Sequence, residues 1–143
     1  MTQPGPEQPP AELLELIMQA GQGSLVERMG IVFTSVANDR LEATMPVDGN
    51  RQPYGLLHGG ASCVLAETLA SMGAALNAWP ERIAMGIEIN ASHHRSATEG
   101  LVRGVATPLR LGRTLSSWAV DIDDAQGRRV CTARVTCVLR ETP

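Results

Sequence analysis

Glu67 carries the only charge in Gly60 to Trp79, GASCVLAETLASMGAALNAW, and no proline interrupts the run before Pro80. An ionised carboxylate among apolar neighbours costs desolvation energy unless it is paired or used, and burial raises its pKa. Such a group can serve as a general base or as a nucleophile. An arbitrary helical Glu is more often solvated or paired with Arg. Here only Thr68 and Ser71 offer polar company, which favours function. Ser71 lies four residues on and shares a helix face with Glu67. It fits a site hydroxyl and a serine bonded back to a helix carbonyl equally well. The same run is entered through His58-Gly59-Gly60. Without Cβ atoms, a substrate can approach the backbone where helix N–H groups lack intrahelical acceptors. This makes an oxyanion hole for a carbonyl, although two glycines alone are ordinary turn chemistry.

Gly59 and Glu67 are eight residues apart, roughly 12 Å along one helix at 1.5 Å per residue. They cannot hold one carbonyl together. If both act on the same group, they belong to different subunits whose helices run antiparallel across a two-fold axis. The spacing therefore predicts at least a dimer, with its site at the interface.

Competing constellations are weak. G-A-S-C-V around Ser62 lacks the second glycine of a nucleophile elbow, and there is no H-E-x-x-H or P-loop. His93 and His94 are adjacent on a strand pattern and point to opposite faces, so no metal is expected. Cys63, Cys131 and Cys137 are odd in number and lack C-x-x-C spacing, which argues against a disulfide framework or zinc and for a reducing cytoplasm. A net charge of -3 and 3% aromatic residues argue against nucleic acid or an acidic membrane surface as partner. All 12 basic residues are Arg. Genome composition explains that better than phosphate recognition does, though Arg suits phosphate well.

The elements that must position these residues fit one domain, residues 11–143, behind a tail at 1–10. MTQPGPEQPP has four prolines and no basic residue. It reads as disordered rather than as a signal or transit peptide. Apolar residues at 13, 14, 17 and 18 predict a helix over 11–20, ended by Gly21 and Gly23. IVFTSV, Asn38-Asp39 and LEATMPV predict a hairpin, and 48–58 predicts a loop. The run 60–79 predicts a helix buried on most of its circumference. Its length also suits a membrane span, but its Gly, Ala and Ser content and central carboxylate favour a core helix. Strands are expected at 83–93, 101–111, 114–123 and 129–140, with short connections that imply antiparallel neighbours. Met85, Ile87 and Ile89 are expected to face inward. The class is α+β: an antiparallel sheet of five to six strands wrapped around one long central helix.

The run RQPYGLLHGGASCVLAET, residues 51–68, resembles the hotdog-fold acyl-CoA thioesterases of the hydroxybenzoyl-CoA and dihydroxynaphthoyl-CoA type, the phenylacetate-pathway-like thioesterases. The likeness extends through GIEINASHHRS, residues 86–96, and LRLGRTLSSW, residues 109–118. The resemblance implies that Glu67 is the catalytic carboxylate and that the Gly59 N–H polarises the thioester carbonyl. It implies that Gln52 and His58 orient the thioester from the opposite subunit and that Ser71 positions the water or the hydrolytic intermediate. It further implies coenzyme A contacts at Gly86, His93, His94, Arg95, Ser96, Arg110, Leu111, Gly112, Arg113, Thr114 and Leu115, with the arginines suited to phosphates. Solvated arginines at strand edges explain those positions about as well. The expected substrate is a small-molecule aromatic acyl-CoA. Coenzyme A is part of that substrate, no separate cofactor is expected, and the family assembles as a tetramer of two dimers. The alternatives are a hotdog hydratase or dehydratase, disfavoured because no His-Phe-Pro motif is present, and a non-catalytic acyl-CoA-binding module. Tyr54, Met72 and Trp79 are candidates for an acyl pocket, although apolar residues on a core helix are more often plain core.

Overall fold

The computed structural model describes residues 9–142. Most of the expected tail therefore lies outside the described residues. Of its last two residues, Pro9 is buried and Pro10 caps α1 (Ala11–Ala20), where a missing N–H costs nothing. The amphipathic pattern of α1 resolves into a single buried anchor, Leu13. A short helix that the sequence pattern did not predict follows, α2 (Leu25–Arg28). Four residues are too few to display a 3.6-residue period.

Six antiparallel strands form one sheet in the order β1-β2-β4-β5-β6-β3. β1 (Val32–Ala37) and β2 (Arg40–Pro46) are the expected hairpin, and β4 (Leu101–Leu111), β5 (Leu115–Asp123) and β6 (Arg129–Glu141) form a meander. Strict alternation buries Leu41, Ala43 and Met45 on β2 and Trp118, Val120 and Ile122 on β5. The tight β5–β6 turn is closed by Asp124, whose carboxylate accepts from the Gln126 and Arg128 backbone N–H groups and from the Arg128 guanidinium.

The expectation that β3 (Arg82–His93) and β4 are neighbours is overturned. β2 and β5 occupy both edges of β4, so β3 pairs with β6 at the far side of the sheet. The link at 94–100 is a crossover. His94 N–H donates to Val130 O, Leu57 N–H to Ala97 O, and Val47 N–H to Gly100 O. These bonds carry the chain across the mouth of the sheet and place residues 93–97 against the start of the central helix.

That helix, α3 (Gly59–Ala78), packs against β2, β3, β4, β5 and β6. Ala61, Leu65, Leu69 and Ala74 sit in the core with Met45, Val102, Trp118 and Val135. Close approach needs small residues. A Cβ on Gly73 would lie 2.5 Å from the Trp118 ring, and one on Gly104 would lie 2.6 Å from Leu69. The expected burial over most of the circumference is only half fulfilled. Gly60, Glu67 and Asn77 are exposed, and Val64, Thr68, Ser71, Met72 and Ala75 are partly so. One lengthwise stripe of the helix is left without cover by the sheet. Although α3 has the length and composition of a membrane span, its other face fills the sheet's interior.

Candidate active site

The backbone donors at the start of α3 turn to nearby acceptors, with one exception. His58 N–H donates to Asn50 O, Gly60 N–H to Nδ1 of His58 at 2.8 Å, and Ala61 N–H to His58 O. The Gly59 N–H takes no protein acceptor among the described residues. His58 is thus the N-cap of the helix, and an accepting Nδ1 places the ring proton on Nε2. The cap ties up the neighbouring amide and leaves one free N–H at the positive end of the helix dipole, the place an oxyanion requires.

The His93 ring closes the other side of Gly59. A Cβ there would stand 2.9 Å from Nε2 and 3.1 Å from Cε1. His94 turns away and pairs with the Thr132 hydroxyl at 3.0 Å. Gln52, Gly59, His93, His94, Arg95 and Ser96 share a cleft of about 390 Å³ at the helix N-terminus. The Gln52 side-chain oxygen accepts the Tyr54 N–H. Among the described residues, no three His, Cys, Asp or Glu side chains gather as a metal site would need.

Glu67 lies two turns along the helix and is exposed in the protomer. The expectation of a buried carboxylate is therefore corrected: the outer stripe of α3 on which it sits is not covered by its own sheet. Its immediate neighbour is Gly86 on β3, where a Cβ would overlap Oε1 and lie 3.2 Å from Cδ. Gly86 is thus placed beside the carboxylate, and the strand bulges between Gly86 and Glu88 at that point. An isolated Gly in a strand pattern signals a bulge or a close approach, so this contact had a sequence signature. Ser71 lies one turn beyond Glu67, with its hydroxyl 3.9 Å from the Cys137 sulfur.

Glu67 and Ser71 open onto a second cleft of about 590 Å³, between α3 and the α1–α2 segment. Met72 lines it. Tyr54 and Trp79 do not; both are surface residues, 88% and 45% exposed. The remaining expected contacts lie elsewhere. Leu111, Gly112 and Arg113 line a cleft with Ala74, Asn77 and Arg82, beside the C-terminal half of α3. Arg110, Gly112, Arg113, Thr114 and Leu115 line a neighbouring one with Arg134 and Thr136. Arg134 was not singled out by the sequence pattern, because an alternating exposed Arg on a strand looks like any solvated one. Within one protomer, the 93–96 and 110–115 groups are divided between opposite ends of α3.

One long helix packed against a six-stranded antiparallel sheet is the architecture of a hotdog fold. The chain belongs to the thioesterase superfamily, whose family model matches residues 54–131. It is 50% identical over 127 residues to the proofreading thioesterase EntH of Cronobacter sakazakii, covering 88% of this chain and 93% of that one. It is 52% identical over 124 residues to the proofreading thioesterase EntH of Cronobacter turicensis, covering 86% and 90%. Among solved structures, it is similar to thioesterase HI1161 of Haemophilus influenzae, with a TM-score of 0.85, 38% identity and 90% of each chain covered. A glutamine-to-alanine mutant of thioesterase PA1618 from Pseudomonas aeruginosa aligns with a TM-score of 0.84 and 37% identity, covering 90% of this chain and 94% of that one.

Proposed function

We propose that this thioesterase hydrolyses an aromatic acyl-CoA, with water added across the C–S bond to release the free acid and coenzyme A. The observation that carries the reading is the single unoccupied amide of Gly59, flanked by the His58 cap and the His93 ring. The thioester oxygen accepts from that N–H, which stabilises the negative charge developing on it. Glu67 then acts as nucleophile, through a mixed anhydride, or as general base on water. Gln52 and His58 orient the thioester and Ser71 the water or the intermediate. The 93–96 and 110–115 groups hold coenzyme A, with Arg95, Arg110 and Arg113 as its phosphate partners.

The reading requires two subunits. Gly59 and Glu67 occupy one helix at a separation of about 12 Å, and the two arginine-bearing groups lie at its opposite ends. Antiparallel apposition of two α3 helices across a two-fold axis brings each half-site to its complement. β3 supports this arrangement. Among the described residues it pairs only with β6 and leaves Ile83, Met85 and Ile87 40%, 44% and 58% exposed along a free edge, which proteins usually cover. A dimer, paired into a tetramer and working in the cytoplasm on a small-molecule substrate, is the proposed form.

The relatives named EntH are called proofreading thioesterases, which supports thioester hydrolysis and leaves the acyl group to experiment. The test is steady-state hydrolysis of benzoyl-, hydroxybenzoyl-, dihydroxynaphthoyl- and straight-chain acyl-CoAs by the wild type and by Glu67→Ala. The expected result is a preference for aromatic acyl groups, and loss of turnover in the variant with its oligomer intact. Equal turnover by both proteins would sink the mechanism. A wild type that binds acyl-CoA without turnover would point to a binding module.

A further inference from the structure

Resting on the thioesterase reading, we propose that the α1–α2 segment is the selectivity wall of this enzyme, and that the apolar end of the acyl group lies between it and α3. The cleft beside Glu67 is floored by Val64, Met72 and Ala75, which recur at helical spacing on the uncovered stripe of α3. Its opposite wall is Ile17 and Ala20 of α1 together with Leu25 and Val26 of α2. Glu67 and Ser71 lie on the same stripe. A thioester carbonyl placed at the carboxylate therefore has a continuous apolar channel for whatever its acyl carbon carries.

Volume and chemistry agree with that occupant. About 590 Å³ falls within the roughly 300–1,000 Å³ usual for small-molecule pockets. Among the described residues no Arg lines the cleft and its only ionisable side chain is Glu67, so its far end offers nothing to a phosphate. The wall also lies outside the matched family region: it ends at Val26, whereas the family model begins at residue 54. The outer wall of the cleft and the helix that carries Gly59 and Glu67 thus come from different stretches of the chain. Leu13 is the one buried residue of α1 and Ile17 packs partly against the core, whereas Ala20 and Leu25 are exposed and can change without disturbing it.

The test uses the full chain with Leu25→Trp and Ala20→Trp, which fill the cleft, and Leu25→Ala, which widens it. Both positions are exposed, so the core does not depend on either. The measurement is the ratio of kcat/KM for dodecanoyl-CoA to that for butanoyl-CoA, with oligomeric mass and melting temperature determined alongside. A single methylene in an apolar pocket is worth roughly 10- to 200-fold. The filled variants should therefore lower the ratio by about tenfold or more, and the widened one should raise it. A ratio unchanged in all three folded variants would overturn the proposal while leaving the thioesterase reading intact. If the ratio stayed fixed and the oligomer instead fell apart, the cleft would belong to a second copy of the chain and the proposal would equally fail. Absence of hydrolysis of every acyl-CoA by the wild type would instead sink the reading beneath it.

Discussion

The carboxylate of Glu67 rests against the bare Cα of Gly86, in a space that a β-carbon at that position would fill. One atom of side chain on β3 therefore decides where the carboxylate can point. Gly86→Ala should displace it and lower kcat by about tenfold or more, since small misplacements of reacting groups cost up to roughly 100-fold. Stability should hold or rise slightly, because Ala restricts the unfolded chain more than Gly. Steady-state kinetics beside thermal melts would check both halves, and an unaltered kcat would show that the carboxylate needs no such seat.

His58 caps α3, and the proposed function gives it a second, separable duty at the thioester. As N-cap its Nδ1 holds the Gly60 amide, and loss of a cap costs about 1 kcal/mol. His58→Ala should lower stability by that amount and free a second amide beside Gly59. His58→Asn supplies another capping oxygen and should restore the melting temperature. If Asn restores turnover as well, His58 acts through the cap alone. If turnover stays low at wild-type stability, the imidazole also meets the substrate.

Trp118 packs tightly against Gly73 where the helix meets β5. Gly73→Ala would improve an isolated helix by about 1 kcal/mol, yet its methyl would stand 2.5 Å from the indole. Overpacking costs about 1–3 kcal/mol and should win. The expected outcome is a lower melting temperature with a changed near-ultraviolet signal from Trp118. A stabilised variant would mean that β5 can retreat.

Burial pushes the Cys131 thiol up to about 11, with Cys63 adding to the effect. The folded chain therefore keeps a proton that the unfolded chain, at the ordinary thiol value of 9.0, has already released. Between those values the native state binds more protons, so stability falls as pH rises from about 9 to about 11. Urea melts at pH 8 and pH 10.5 should show the decline, and Cys131→Ala should lessen it, leaving the smaller part due to Cys63 and Cys137, whose thiols burial also pushes up.

Much of this was legible in residue patterns. β2 and β5 alternate cleanly because one face is buried along their length. The helix at 59–78 was visible because it lacks charge and proline. β3 misled for a physical reason. The bulge after Gly86 shifts its phase, so Ala84 faces inward before it and Ile89 and Ala91 after it, while Met85 and Ile87, expected inside, lie on an open edge. The crossover at 94–100 looked like a hairpin link because its hydrogen bonds go to residues distant in the chain. Glu67 was expected to be buried because the apolar run gives no sign that the sheet covers only one of its faces.

The uncovered face leads to the most demanding prediction, that each site takes its amide from one subunit and its carboxylate from the other. Glu67→Ala removes the carboxylate. Gly59→Pro removes the free N–H at the first helical position, where the backbone accepts proline behind a His58 whose φ of -65° and ψ of 130° suit a residue preceding it, and the exposed His93 ring must turn aside for the new Cβ. Each variant alone should be inactive. In a hybrid dimer of the two, one site inherits both lesions, while the other pairs an intact Gly59 with an intact Glu67. Random reassociation makes half of the dimers hybrids with half of their sites intact, so mixing two inactive proteins should recover about one quarter of wild-type activity. Recovery near that level, at wild-type KM, would establish the split site. If mass measurements confirm subunit exchange and activity remains absent, amide and carboxylate cannot be serving one thioester from different subunits.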